Sequence, residues 1–229
     1  MIKLEKTDVF GFESAIRGMR NPLNSWSMSD SEFSIENCVR EGRFKQSVEL
    51  GVNDLKLMRC LSKAGDDHGK FLRFINVTVD ITAPLYWWKE FDTYKVGTIA
   101  NSCSTMHKIH DKMFEFDDFS YEHLLVDTGE VNPYIKGVDP ITPRGVLYII
   151  IEELNWYRNK YLETKDKKYW WQMIQLLPSS YNQKRTVQLN YQVLKSMYFA
   201  RKSHKLDEWH EFCDWCETLP YFKEICIQE

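Results

Sequence analysis

From Ile75 to Ile81, apolar and polar side chains alternate: Ile75, Val77, Val79 and Ile81 are separated by Asn76, Thr78 and Asp80. Neighbouring residues of a strand point to opposite faces, so the pattern predicts a strand over 71–81 with one face on a core. A sheet with one apolar face must be covered by a second layer. The chain carries that cover. Pro84 opens an aromatic run, PLYWWKEF, and proline suits the first position of a helix. Beyond residue 142 the pattern is helical. The expected class is therefore α+β: a small mixed or antiparallel sheet packed against several helices, with a helical C-terminal third.

Ile2–Phe10 reads as a further strand and 13–20 as a short helix. Asn21-Pro22 ends that helix, because the residue before proline avoids helical backbone. Residues 21–37, rich in Ser and Asn, read as an irregular loop. Asn53 is placed to cap a helix over 54–63, where Leu55, Leu57, Met58 and Leu61 recur at helical spacing, and Gly65 to end it. The stretch TYKVGTIANSCSTMHKIH (93–110) carries no clear period. Residues 114–143 hold three prolines and read as a long irregular excursion over the surface. Thr142-Pro143 starts a helix running to about residue 163. Others are expected over 169–177, 183–202 and 207–218. With 229 residues and no internal repeat, the chain reads as a single domain over 1–229.

Composition narrows the function classes. Hydrophobic residues are 43% and charged residues 28%, the balance of a folded globular chain. The net charge is −3 and the cations are spread along the sequence, which argues against a genomic DNA binder but leaves a compact anion such as a nucleotide open. The N-terminus, MIKLEKTDVF, lacks the apolar stretch of a secretion signal, and the longest apolar run, Val146–Ile151, is far too short to span a bilayer. No membrane association and a cytoplasmic location are the expectation. The six cysteines are then read as reduced thiols in or near the core.

Four constellations could carry chemistry. Cys213-x-x-Cys216 with His210 offers one cysteine pair where a zinc site needs two, so the thiols read as core beside Trp215. His107-x-x-His110 with Asp111 has no matching carboxylate helix and reads as a polar face. No metal site is expected. Cys103, beside Ser104 in ANSCST, is a weak nucleophile candidate, because nothing in the sequence sets His107 or His110 against it. Lastly, Asn190, Leu194, Met197 and Arg201 fall at steps of four, three and four, one stripe at about 100° per residue. The stripe is apolar in the middle and polar at both ends. Those ends either emerge into solvent or frame a polar ligand.

Several of these stretches together resemble one family, the flavin-dependent thymidylate synthases (ThyX). The resemblance rests on DHGKFLRFINVTVDITAPLYWWKEF, on DTYKVGTIANSCSTMH and on LLPSSYNQKRTVQLNYQVLKSMYFARKSHKLDEW, in that order. It covers roughly residues 60–110 and 170–210. It implies the ThyX fold, a nucleotide ligand, FAD as cofactor and a homotetramer. Residue by residue, it implies that His68 and Asn190 contact the flavin, that Glu90 lies where a nucleotide-binding glutamine is expected, and that Arg201 grips the nucleotide. The loop serine beside the nucleotide falls at Cys103 or Ser104.

The family's RHR element is replaced by Thr93, Tyr94 and Lys95, and only Lys95 keeps a charge. Lysine is a point donor and does not reproduce a bidentate arginine. Asn101 stands where the family has a glutamate and Thr105 where it has an arginine. Losing two or three hydrogen bonds to a charged phosphate weakens binding by about 3–9 kcal/mol if the losses add. Arg185, Lys184, Lys89 and Arg73 are the cations available to compensate. Two functions follow as expectations. One is a nucleotide-binding protein that acts as a divergent thymidylate synthase on a deoxyuridine nucleotide. The alternative is a nucleotide sensor or sequestering protein without turnover.

Overall fold

A computed structural model describes residues 1–38, 43–127 and 141–228, with backbone alone at 35–38 and 43–46. In chain order the elements are β1 (Lys3–Phe10), α1 (Phe12–Arg20), β2 (Glu32–Cys38), β3 (Arg43–Glu49), α2 (Val52–Lys63), β4 (Asn76–Pro84), α3 (Leu85–Phe91), β5 (Ile99–Ser102), α4 (Pro143–Thr164), α5 (Lys167–Leu176), β6 (Asn182–Asn190), α6 (Tyr191–Arg201) and α7 (Asp207–Thr218). One sheet has the strand order β1-β4-β6-β5. A separate hairpin pairs β2 with β3 antiparallel, with Phe33 opposite Val48 and Ser34 opposite Ser47. The class is α+β.

The chain forms two compact units. The first comprises Met1–Lys3, Thr82–Thr93 and Asn101–Arg185, the second Leu4–Ile81, Tyr94–Ala100 and Thr186–Glu229. In the second unit the alternation of β4 works as the sequence dictates: Val77, Val79 and Ile81 are fully buried while Asn76, Thr78 and Asp80 are not. The strand begins at Asn76 and not at Phe71. Gly69–Arg73 is a 3-10 turn, in which Phe71 and Leu72 are consecutive and both buried. Phe12, Ala15, Ile16 and Met19 form the buried stripe of α1. Its start is fixed by Gly11 at φ 101°, where a Cβ would lie 2.0 Å from the Phe74 carbonyl oxygen.

Residues 21–37 are not an irregular loop. They hold two short 3-10 turns and then β2. A buried ion pair ties them down. Arg20 Nε donates to Asp54 Oδ1 at 2.6 Å, and the same guanidinium donates to the Ser25 and Met28 carbonyls at 3.1 Å. The other carboxylate oxygen of Asp54 accepts from Ser29 Oγ, Ser31 Oγ and the amides of Asp30 and Ser31. Asn53 does not cap α2. Asp30 does so from outside the helix, accepting from the Asn53 and Asp54 amides at 2.9 and 3.0 Å.

In the first unit, α4 starts as expected, with Thr142 Oγ1 accepting from the Gly145 amide at 3.0 Å. Leu147, Ile151 and Leu154 of α4 and Met173 of α5 pack with Ile109, Phe114 and Phe119. The excursion at 114–143 is therefore no idle surface loop at its start, since two of its phenylalanines are core; residues 128–140 lie outside the described part. On α3, Trp87, Trp88 and Phe91 are all buried, and Trp88 Nε1 donates to the Gln183 carbonyl at 2.9 Å.

The expected helix over 183–202 is corrected. Residues 182–190 form β6, and only Tyr191–Arg201 is helical. Gln183, Val187 and Leu189 are buried at alternate positions of β6, with Arg185 half-buried between them. Only two of those four side chains are aliphatic, so the period of two was hidden in QKRTVQLN.

Candidate functional site

Within the second unit, the N-terminus of α6 is flanked by two turns. Asn190 is its cap, and its Oδ1 accepts from the Val193 amide at 3.1 Å. On one side lies the turn at 65–69. Gln192 Nε2 donates to Asp66 Oδ1 at 3.0 Å, and a Cβ at Gly69 would lie 3.6 Å from Gln192 Oε1. This turn carries His68, whose side chain is exposed. On the other side runs the 94–98 turn. Gly97, at φ 80°, comes so close that a Cβ would lie 3.0 Å from Val193 Cγ2 and 3.3 Å from Asn190 Nδ2. Lys95, on the same turn, is exposed.

The opposite end of α6 carries Arg201. Its Nε donates to Tyr94 Oη at 2.9 Å, and its guanidinium lies 4.8 Å from the Trp209 ring centroid and 5.5 Å from that of Tyr94. Two aromatic faces and one hydroxyl thus hold the arginine in place. The Asn190–Arg201 stripe survives the correction of the helix: Leu194 and Met197 between them are fully buried. Asn190 and Arg201 are eleven residues apart, about 16 Å along the axis.

Among the described residues, the side chains of His68 and Lys95 and the Nδ2 of Asn190 have no hydrogen-bond or ion-pair partner. All three belong to the second unit. They sit on the cap of α6 and on the two turns beside it; the partial positive charge of the helix N-terminus favours an anion, although its Tyr191 and Val193 amides are already taken by the Ile75 carbonyl and Asn190 Oδ1.

The remaining predicted residues belong to the first unit, where the loop after β5 is held by its backbone. The Cys103 amide donates to the Lys184 carbonyl at 2.9 Å, and Gln183 Nε2 donates to the Cys103 carbonyl at 2.8 Å. Gln183 in turn accepts from Arg185 Nε at 3.0 Å. Arg185 is committed further, to Asp92 Oδ1 at 2.7 Å and to the Trp88 ring at 4.1 Å. It is a strut for this loop more than a free cation. Ser104 Oγ accepts from the His107 amide at 2.9 Å. Asn101 is exposed on β5, and Glu90 is half-buried on the last turn of α3. No base contacts the Cys103 thiol among the described residues.

Sequence reasoning missed Trp209, Gly97, Asp92 and Gln183. Each acts through a partner distant in sequence, and only Gly97, a glycine between turn residues, left a local signal. A hollow of about 820 Å3 in the first unit, lined by Met113, Phe116, Tyr148, Glu152, Asn155 and Trp156, holds none of the predicted residues. Among the described residues no three His, Cys, Asp or Glu side chains are grouped to hold a metal, and no helix is long and apolar enough to cross a membrane.

The cysteines are not uniformly core: Cys213, Cys216 and Cys226 are buried, while Cys60 and Cys103 are exposed. Burial pushes the Cys213 thiol up to about 11 and that of Cys226 to about 12, and holds Cys216 well above its ordinary value. The thiolate is the reactive form. Mass spectrometry after brief alkylation of the native chain is expected to find Cys60 and Cys103 labelled and these three unmodified until denaturant is added. Modification of Cys216 ahead of Cys103 would contradict this packing.

No family model and no curated protein matches the sequence. Solved structures do match. Thymidylate synthase X (ThyX) from Helicobacter pylori with FAD and dUMP is similar with a TM-score of 0.65 and 15% identity, over 99% of this chain and 97% of that one. A second structure of flavin-dependent thymidylate synthase ThyX from Helicobacter pylori, complexed with FAD and dUMP, is similar with a TM-score of 0.63 and 15% identity, over 97% of this chain and 98% of that one. The likeness runs the length of the chain, and the fold is ThyX-like.

Proposed function

We propose that this chain is a nucleotide-binding protein whose ligand is a deoxyuridine nucleotide, held along α6 and its two flanking turns. The observation that carries the reading is Arg201, held against Tyr94 and Trp209 at one end of α6, with unpartnered polar groups on the turns along the helix, in a fold whose solved neighbours hold FAD and dUMP. Arg201, fixed against Tyr94 and Trp209, takes the nucleotide; Lys95 supplies the charge that remains of the altered RHR element. The distance between the two ends of α6 leaves room for a second group beside the nucleotide. His68 and Asn190 Nδ2 are donors of the kind that meet a flavin's ring carbonyls and nitrogens, so the residues present fit FAD. When bound, FAD supplies the hydride of a reductive methylation; the chain supplies binding and orientation. The resemblance also marks Glu90, Asn101, Cys103 and Ser104, in the first unit, as ligand-binding. On the same resemblance the protein is a homotetramer.

A second reading, a sensor or sequestering protein without turnover, is favoured by one observation. Arg185, the cation best placed in sequence to replace the missing arginines, is neutralised by Asp92. Binding is common to both readings; dTMP formation separates them.

The test is thermal unfolding of the purified chain with dUMP, and its visible absorption spectrum. A ligand at a hundred times its Kd stabilises by about 2.7 kcal/mol, a rise in Tm of about 5–10 °C for a chain of this size. No shift with dUMP at millimolar concentration would overturn the proposal.

A further inference from the structure

One stretch of the first unit departs from the charge balance of the whole. Residues 156–172, WYRNKYLETKDKKYWWQ, hold five cations (Arg158, Lys160, Lys165, Lys167, Lys168) and two anions (Glu163, Asp166), a net +3 in a chain of net −3. The same stretch holds three Trp and three Tyr. It is the end of α4, the turn after it and most of α5, and the two helices pack on each other.

The cations and rings interleave in space. Lys160 Nζ lies 5.9 Å from the Trp156 ring centroid, Trp156 lies 6.3 Å from Tyr169, and Lys168 Nζ lies 4.8 Å from Tyr169. This makes a continuous row: ammonium, ring, ring, ammonium. A second group stands beside it in sequence, with Lys167 Nζ 5.6 Å from Trp171 and 5.9 Å from Trp170. Trp156 is 51% exposed and Trp171 42%, so neither ring is spent on the core. Lys165 and Lys167 have no carboxylate partner among the described residues, and the pairs Lys160–Glu163 and Lys168–Asp166, both 3.1 Å, are exposed and weak.

We propose that this turn is a docking surface for an unpaired polynucleotide strand. The Trp156 and Tyr169 rings meet edge to face at 83°, so the exposed Trp156 and Trp171 rings are the ones open to a base, and the lysines beside them meet the adjoining phosphates. A duplex keeps its bases stacked inside and offers these rings nothing but its backbone. A protein partner with an acidic face would match the lysines but leave the exposed Trp rings without a planar counterpart. The negative charge of the rest of the chain is screened beyond about 10 Å at 0.1 M salt. This site is separate from the nucleotide site proposed above and stands without it.

Fluorescence anisotropy of a labelled dT12 oligonucleotide, titrated with the full chain, tests it. Binding at 50 mM salt is expected, weaker by roughly 7- to 50-fold at 200 mM for two to four neutralised phosphates. Trp156→Ala, at an exposed ring, is expected to lower affinity by about fivefold or more at unchanged Tm. The pair Lys160→Gln with Lys168→Gln should flatten the salt dependence. The proposal is overturned by no binding at 50 mM salt, by a dT12·dA12 duplex binding as tightly as dT12, by Trp156→Ala binding unchanged, or by capture on phosphatidylserine vesicles in place of the oligonucleotide.

Discussion

Asp54→Ala should be among the most destabilising single substitutions in this chain, costing about 3–5 kcal/mol because it leaves the Arg20 guanidinium buried and uncompensated. Arg20 and Asp54 side chains are 3% and 0% exposed, and the carboxylate collects five hydrogen bonds, four of them from Ser29, Asp30 and Ser31. The turns at 21–31 have little apolar burial of their own, so the ion pair is what fixes their path into β2. For a chain of this length the loss corresponds to a fall in Tm of about 6–20 °C. Replacing both partners, as in Arg20→Met with Asp54→Leu, removes the orphaned charge and is expected to recover part of it.

The effect has a pH signature. Burial alone would raise the Asp54 carboxyl, but hydrogen bonds from Ser31, Arg20 and Ser29 and from the Asp30 amide outweigh it, and the net direction is down. A carboxyl lowered in the folded state stabilises above its unfolded value of about 3.9 and loses that contribution as pH falls through the folded value. The stability gap between the wild type and Asp54→Ala is therefore full at pH 7 and shrinks below about pH 4. Urea unfolding at several pH values measures it. A gap that is small at pH 7 or grows in acid would mean the pair is not buried as described.

The second large effect is on ligand affinity. Arg201→Ala should weaken dUMP binding by roughly 10- to 150-fold, the worth of one charged hydrogen bond at about 1.5–3 kcal/mol. Tyr94→Phe tests the same arginine indirectly. It removes the hydroxyl that Arg201 Nε donates to while keeping the ring beneath the guanidinium. It is expected to weaken dUMP by a smaller factor with Tm nearly unchanged, because Tyr94 is only half-buried. Calorimetry reads both. Equal affinity of Arg201→Ala and the wild type would remove Arg201 from the site.

The residues that announced themselves in the sequence did so through period or position. The alternation of β4, Thr142 before Pro143 and the bounds of α7 each took the expected form, while Pro84 ends β4 and precedes α3 in place of opening it. What stayed hidden depends on distant partners. β6 mixes Gln183 and Arg185 with Val187 and Leu189 on its inner face, because Gln183 is satisfied by the Cys103 carbonyl and Arg185 by Asp92 and Trp88. Polar residues so satisfied do not register as an inward face. β2 and β3 hid likewise, since Glu32, Ser34 and Glu36 read as loop until paired across the hairpin. At the candidate site, the two ends of the α6 stripe were legible from spacing alone. The contact of Arg201 with Tyr94 was not, because Tyr94 is 107 positions away.

The central claim is that α6, with the turns at 65–69 and 94–98, is where a nucleotide sits. Hydrogen exchange of the full chain with and without saturating dUMP tests it most directly. Protection concentrated in 65–69, 94–98 and 190–201 is the predicted result. Protection confined to the hollow between 113–116 and α4, with those three segments unchanged, would contradict it.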